Sequence, residues 1–490
     1  MIEKYNLSSN KIIFIGLGRH AKRVHVPLLK KFKQKYNFSI VGVVDLNNKL
    51  KDIDNYLKEY GFFQQKLLPV NKEDFSKSDK LFHNKKQALE KEIKKLGANI
   101  AIISCDDKYH ETYIELCLKN NIHILIEKPL FTQDFSSVNY NKAKKLIAMY
   151  ENIAVAYKKA LKRNPNLLFS IISQRRYHPA FERIKQEVKE VYEKTNCPIT
   201  HSKFYHSDGQ WRMPDELLEE TYHGYNRGIG KCSHSGYHFF DTLAQVMKLI
   251  TDEKRPERVV VESNFVRPND VLEQINLKDH KKVFKNFKAK SKSELEKNMA
   301  NYGEVDASIN YSFMRKGKII SFSDLILVHN GFSNRSWFKP NEELYKWNRR
   351  LRHENHTICQ GPYQSIHFHS YQSDETKNKK LKYCKDVGGE LHFEVHIFRN
   401  KKLLKTTKPQ FEKLSFDNFK LPNDNFYAPR GHQEYSKYLC LEDFFQSLRK
   451  GKKTKSNYLD HYHSHLLYSL AYMSGAKDFN KKQKKVVYEW

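Results

Sequence analysis

Cysteine is scarce and scattered. The 490 residues hold seven, Cys105, Cys117, Cys197, Cys232, Cys359, Cys384 and Cys440, and none forms a CxxC pair. An odd, dispersed set fits free thiols in a reducing compartment, not a disulfide framework. Long apolar runs are missing too: no stretch approaches the roughly 18 residues of a membrane span. The opening "MIEKYNLSSNKIIFIGLG" lacks the pattern of a cleavable leader, because its apolar run is short and contains glycines. These absences predict a cytoplasmic protein. No unit repeats along the chain.

Acidic residues are few beside basic ones. Asp plus Glu is 56 against 87 Lys plus Arg, a formal net charge of +31. Such a balance suits nucleic acid, an anionic surface or an acidic small substrate. The basic runs, "KKFKQK", "HKKVFKNFKAKSK" and "RKGKKTK", are short and scattered, and none has the spacing of a DNA-reading motif. Nucleic acid and membrane are therefore not expected partners. Hydrophobic residues at 39% and aromatics at 13% support folded cores, and the length accommodates two domains.

What is present begins at "KIIFIGLGRHAKRVHVPLLKKF". Ile12 to Ile15 read as a buried strand, followed by a glycine turn and a helix. Gly16, Gly18 and Ala21 give G-x-G-x-x-A. The first glycine permits a tight turn, the second lets the backbone approach a pyrophosphate, and the small third residue lets helix and strand pack closely. Arg19 and His20 lie in the same turn. "FSIVGVVD" reads as the next strand, ending in Asp45, 27 residues after Gly18. An acid at that distance meets a ribose 2′-hydroxyl and repels a 2′-phosphate, which favours NAD over NADP. Arg19, Lys22 and Arg23 would blunt that preference. Residues 50–95 read as an expanded, highly charged surface region.

"AIISCDDKYHETYIELCLKNNIHILIEKPL" continues as strand, helix and strand, closed by Glu127-Lys128-Pro129. With the glycine turn at this distance, the block resembles the Gfo/Idh/MocA oxidoreductases, which include glucose–fructose oxidoreductase and inositol dehydrogenase. The resemblance implies that Cys105, His110, Glu127 and Lys128 line the cofactor site, where Cys105-Asp106 stands in place of the family's usual Thr-Pro. It also implies that Lys128 contacts the substrate hydroxyl near the nicotinamide. "QRRYHPAF" resembles the segment at which the family's two domains cross over. There Arg176, Tyr177 and Pro179 match, and Arg176 is a candidate substrate contact.

The second half reads as strands: "PITHSKFYHSDGQW", a hairpin over "GEVDASINYSFMRKGKIISFSDLILVH", and another of the same look over "GGELHFEVHIFRNKKLLKTT". The expected fold class is α/β: an N-terminal Rossmann dinucleotide-binding domain over 1–174, then a C-terminal α+β domain over 175–490 with an open, mainly antiparallel sheet. The final helices are expected to pack back on the first domain. Surplus length falls near 50–95, 265–300 and 335–385, with a helical insertion expected at 265–300. Trp211, Trp337 and Trp347 would either line a sugar face or pack between insertions.

"CSHSGYHFFD" carries His234, His238 and Asp241. On one helix face they would suit a metal, but Ser235-Gly236 argues for a turn or close backbone approach, and no metal is expected. His461 and His465 in "DHYHSHL" are a weaker candidate pair. The stretch resembles the family's G-x-x-x-D-x-G-x-H-x-x-D: Gly230, Gly236, His238 and Asp241 match in register, and His234 replaces an aspartate. The resemblance implies that His238 exchanges a proton with the substrate hydroxyl while hydride passes to or from the nicotinamide. Asp241 would orient the helix or the imidazole, or touch substrate, and His234 would act as a base or bind an anionic group. The expected protein is an NAD- or NADP-dependent homo-oligomeric oxidoreductase, converting a secondary hydroxyl of a sugar or sugar derivative to a ketone. A non-catalytic sensor or assembly subunit of the same fold is the alternative.

Overall fold

A computed structural model describes residues 10–76, 79–284, 286–333, 350–373, 380, 384–419, 421, 432–479 and 485–490. Trp337 and Trp347 lie outside them. Two compact units are assembled from interleaved segments. One comprises Met1–Thr132, Ala148–Gln174 and Lys437–Tyr462; the other comprises Gln133–Ile147, Arg175–Ser436 and His463–Trp490.

The first unit is built on a parallel sheet of β1 (Asn10–Ile15), β2 (Phe38–Leu46), β3 (Lys66–Val70), β4 (Ile100–Ile103), β5 (His123–Glu127) and β6 (Phe169–Ile172). Its strand order is β3-β2-β1-β4-β5-β6, the doubly wound order of dinucleotide-binding folds. Ile12–Ile15 pair in parallel with Ile100–Ile103, and these eight side chains are almost wholly buried. Such apolar runs without alternation arise because both faces of a parallel sheet are covered. The charged region 50–95 does more than extend the surface, for it supplies β3 at the sheet edge, where Pro69 pairs opposite Asp45. An edge tolerates proline because one side of the strand needs no donor. Phe445 stacks on Tyr36 and Phe38 at ring separations of 5.2 and 5.4 Å, so chain from beyond residue 436 completes this core.

The second unit carries a nine-stranded sheet. Its strands are β7 (His201–Ser207), β8 (Arg258–Val266), β9 (Asp306–Arg315), β10 (Lys318–Val328), β11 (Leu351–Gln360), β12 (Gln364–Ser373), β13 (Glu394–Arg399), β14 (Phe411–Ser415) and β15 (Lys485–Glu489). They run in the order β14-β13-β12-β11-β7-β10-β9-β8-β15. Every pairing is antiparallel except β7 with β10. The predicted β9–β10 hairpin is present. The predicted hairpin over 388–407 is not: after β13 the chain enters a short helix, Lys401–Leu404, whose start is capped by the Asn400 side chain accepting from Leu403 N. The strand that pairs with β13 is β14. The surplus at 335–385 includes the long β11–β12 hairpin rather than a mere insertion. The insertion at 265–300 is helical, in three short pieces: Pro268–Gln274, Leu277–Val283 and Lys292–Asn298. Their apolar sides close around Leu217, Tyr225 and Val305. Among the described residues no helix is long and apolar enough to cross a membrane.

Candidate functional site

At the carboxyl ends of β1, β2 and β4 lies a solvent-open cleft with a volume of about 340 Å³. Gly16, Gly18, Asp45, Cys105 and Tyr109 are among its walls. The two glycines differ in purpose. Gly16 has φ +81°, and a Cβ there would sit 2.4 Å from Cys105 Cα, so the turn can close against β4 only without a side chain. A Cβ on Gly18 would meet nothing within 4 Å, which leaves the space beside its backbone for a ligand. Ala21 is fully buried, as close packing of strand and helix requires. Arg19 is exposed beside it. Asp45 holds the turn: its Oδ2 accepts from Leu17 N and its Oδ1 from Leu46 N, both at 2.7 Å. Each carboxylate oxygen retains a lone pair for a ribose hydroxyl. Lys49, Lys72 and Lys108 also line the cleft.

His20 and Glu127 are tied to one another. Glu127 Oε1 lies 3.0 Å from His20 Nε2 and 2.8 Å from His25 Nε2, linking the end of β5 to the helical segment after the glycine turn. Burial alone would raise the Glu127 carboxyl, but the two imidazoles, His20 first, hold it well below the usual carboxylate range. Burial pushes His20 down to about 3 against the pull of Glu127. His110 is buried with Nδ1 3.0 Å from Leu130 O, so it braces the loop that follows Lys128. The Lys128–Pro129 peptide is cis, and Lys128 is half-buried. Cys105 packs its backbone against the glycine turn, and burial lifts its thiol well above the usual range.

In the second unit, "CSHSGYHFFD" is helical throughout, and of the turn or close backbone approach expected at Ser235-Gly236 it has the close approach. A π-helical turn over Cys232–Gly236 runs directly into the α-helix Tyr237–Met247. Glycine is needed at 236 because a Cβ would lie 2.8 Å from both Leu327 Cδ1 and Lys231 O. The wide turn alters the spacing between His234 and His238, and such turns recur at functional sites. His238 is 7% exposed. Asp241 is committed elsewhere. It accepts from Arg176 Nε at 3.1 and 3.0 Å, from Arg176 Nη2 at 2.7 Å and from Ser464 Oγ at 2.7 Å. Arg176 and Asp241 are 3% and 0% exposed, so they neutralise one another inside the unit, and the His234–His238–Asp241 triad is not assembled. His461 and His465 are likewise buried against partners of their own, Ser456 Oγ at 2.8 Å and Leu146 O at 2.9 Å.

His234 instead joins His223 and His329. One ring nitrogen from each lies within 4.8 Å of the others. His223 follows the short helix Pro214–Glu219, and His329 stands immediately after β10. Beside them Asp208 gathers a buried polar network: Lys231 donates to its Oδ2, Ser235 Oγ donates to the same atom at 2.7 Å, and Arg350 Nη2 donates to Oδ1 at 2.7 Å. Burial alone would raise Asp208, but Lys231 and its neighbours hold it well below the usual range. Sequence reasoning missed His223, His329, Asp208 and Lys231. His223 is 11 residues before His234 and His329 is 95 after it, too far for any local spacing rule. The signals that were available are Glu220-x-x-His223 and a lone histidine at a strand end. Trp211 packs on the insertion, stacked with His280 and Phe284 at ring separations of 5.9 and 5.7 Å.

Residues 10–158 match the Gfo/Idh/MocA family model, described as "Oxidoreductase family, NAD-binding Rossmann fold". No curated protein matches the chain. Solved structures share the fold over nearly the whole length. An oxidoreductase from Agrobacterium radiobacter, solved with NAD+, L-tartaric acid and magnesium, is 13% identical with a TM-score of 0.55, covering 98% of each chain. An aldose–aldose oxidoreductase from Caulobacter crescentus, solved with glycerol, is 12% identical with a TM-score of 0.54, over 98% of this chain and 100% of that one. A levoglucosan dehydrogenase in complex with NADH is 12% identical with a TM-score of 0.54, over 98% and 99%.

Proposed function

We propose that this chain, whose residues 10–158 belong to the Gfo/Idh/MocA oxidoreductases with an NAD-binding Rossmann fold, oxidises a secondary hydroxyl of a sugar or sugar derivative to a ketone, reversibly. The observation that carries the reading is the space left beside Gly18, in a cleft whose wall includes Asp45. These residues fit a dinucleotide: an open backbone approach for the pyrophosphate and a carboxylate for the ribose. Bound there, NAD(H) supplies the hydride acceptor or donor. Asp45 favours NAD over NADP.

Lys128, His238 and His234 are proposed to handle the substrate oxygen. In the oxidative direction His238 accepts the hydroxyl proton as the carbon loses hydride. In reduction it returns that proton, a role suited to an imidazole because it titrates near neutral pH. The proposed part of the Lys128 ammonium is to stabilise negative charge developing on the substrate. Small polyhydroxylated compounds, including sugar acids, are the expected substrates; the tartaric acid, glycerol and NADH of the solved structures above belong to those proteins.

The test is a spectrophotometric screen of sugars, polyols and sugar acids with NAD+ and NADP+, following reduced nicotinamide. Turnover that falls at least ~100-fold in both His238→Asn and Lys128→Met supports the assignment, a loss within the usual range for a general acid–base group. Tight NADH binding without turnover of any substrate would replace it with a sensor or assembly role.

A further inference from the structure

We infer that His223, His234 and His329 form a three-histidine site for a zinc-class transition-metal ion, with a fourth coordination position open to a small oxygen ligand. Three neutral imidazoles with an open position are a donor set for zinc, and imidazole also suits copper, iron and nickel. Carboxylate-preferring ions such as magnesium and calcium would gain little from it.

The geometry is close to what an ion requires. One nitrogen per ring lies within 4.8 Å of the others. Zinc–nitrogen bonds of about 2.0–2.1 Å in a tetrahedron place the nitrogens roughly 3.3 Å apart, a contraction within reach of side-chain rotation. Ring centres are 4.4 Å apart for His223 and His234, 4.5 Å for His223 and His329, and 5.5 Å for His234 and His329. His223 and His329 are 3% and 1% exposed, while His234 is half-buried, so two ligands are fixed and the third has freedom to adjust.

The outer shell is the stronger argument. His223 Nδ1 lies 2.8 Å from Glu220 Oε2, and His329 Nδ1 lies 2.6 Å from Tyr225 Oη. With His223 Nδ1 donating to Glu220, its Nε2 lone pair is left for an ion, while His329 meets Tyr225 through Nδ1 and Asp208 through Nε2, so an ion there would take the place of the Nε2 proton. A carboxylate or hydroxyl behind a ligating imidazole is how such ligands are oriented and made more basic. The main chain is held as well, with His329 N donating to Asp306 Oδ1 at 2.8 Å and His223 N to Glu220 Oε1 at 3.1 Å. Asp208 Oδ2, 3.2 Å from His329 Nε2, places negative charge beside the site. Arg212 Nη2, 3.3 Å from His223 Nδ1, opposes it. Tyr222 is 50% exposed with its ring centre 5.2 Å from that of His234, so the site reaches solvent on that side.

A second three-group cluster, His20, His25 and Glu127, is also compact. There the carboxylate lies between the imidazoles and already accepts from them, so its geometry is explained without an ion. At His223, His234 and His329 the carboxylates found among the described residues each approach a single ring, Glu220 at His223 Nδ1 and Asp208 at His329 Nε2. The metal assignment stands without the oxidoreductase reading. Where that reading also holds, His234 serves as a ligand, and the open position would take the substrate oxygen.

Chelator-treated full-length protein should be titrated with Co2+, without cofactor or substrate, and the visible spectrum recorded. The expected result is one Co2+ per chain with the intense absorption of a tetrahedral site, displaced by one Zn2+. His234→Asn, at the half-buried position, should weaken binding at least ~100-fold, and Glu220→Gln by ~10–100-fold with the spectrum retained. His20→Asn should change nothing. Absence of a stoichiometric tetrahedral spectrum would overturn the proposal, as would one that survives His234→Asn or disappears in His20→Asn. NADH binding, followed by nucleotide fluorescence on the metal-free protein, is read separately. Its failure would sink the oxidoreductase reading and leave the metal site standing.

Discussion

The glycine cleft of the first unit and the helix that starts at Lys231 in the second meet opposite demands. The cleft is defined by what is withheld: no side chain at 16 or 18, and open space beside Gly18. The helix start is defined by what is committed: Lys231, Ser235 and Arg350 donate to Asp208, and Arg176 grips Asp241. A surface that receives a common dinucleotide can be made from backbone, so a short motif specifies it. A surface that selects a particular substrate needs oriented side chains, which must be anchored by partners from distant parts of the chain. The difference predicts that substitutions in the cleft act mainly on ligand affinity, and substitutions behind the helix mainly on stability.

The largest effect expected is at Asp241. Asp241→Asn keeps the shape but leaves Arg176 charged and unneutralised in the interior, at a cost of about 3–5 kcal/mol. Thermal or urea unfolding would show it as a fall in stability, with NADH affinity of the remaining folded protein nearly unchanged. A stable Asp241→Asn protein would mean that the ion pair is not what holds this helix, and the contrast between the units would fail there.

Next come the two glycines, which divide the cleft itself. Gly16→Ala meets both a positive φ and a 2.4 Å contact with Cys105 Cα, so it should lose roughly 1–3 kcal/mol of stability and cofactor binding with it. Gly18→Val has open space on its own chain. It should unfold at the wild-type temperature yet bind NADH at least tenfold more weakly, about 1.4 kcal/mol. Equal behaviour of the two variants would remove the distinction between closing the turn and admitting the ligand.

That distinction also explains what could be read from the sequence. G-x-G-x-x-A, the apolar run Ile12–Ile15 and the strand end at Asp45 are local signals, and each corresponds to a feature of the cleft. β3 was hidden because "KLLPV" contains a proline, permissible only at an edge that a one-dimensional pattern does not reveal. The Phe445 contribution to the first core comes from more than 400 residues downstream of Phe38, and no periodicity announces it. In the second unit, His234 and His238 were visible as a pair. Their environments were not, because a π-helical turn separates them and the neighbours of His234 lie at 223 and 329. Polar sites assembled across a sheet leave only isolated histidines and acids in the sequence.

A smaller effect sharpens the account of the cleft. Asp45→Asn keeps an acceptor for Leu17 N but removes the negative charge facing a 2′-phosphate. The ratio of NAD to NADP affinity should fall by up to about tenfold, at most ~1.4 kcal/mol, with Lys49 and Lys72 in the same cleft now favouring the phosphate. Isothermal titration with both cofactors reads the ratio directly, and an unchanged ratio would show that Asp45 serves only to hold the turn.

The smallest effect belongs to neither region and calibrates the others. On the helix His83–Leu96, Glu90 accepts from Lys94 at 3.0 Å and Lys119 at 2.8 Å. Those two ammonium groups pull its carboxyl down to about 2 from an ordinary value of 4.5. Both lysines are well exposed, at 62% and 65%, so solvent screens the pairs. Glu90→Gln should therefore cost less than about 1 kcal/mol at neutral pH. Because the folded-state pKa is the lower one, the contribution is complete above pH 4.5 and is lost as pH falls toward about 2. Wild-type and Glu90→Gln unfolding curves should then converge on acidification, with NADH affinity unaffected at neutral pH. A gap that stayed constant with pH would assign the loss to packing of the buried Glu90 stem rather than to its charge.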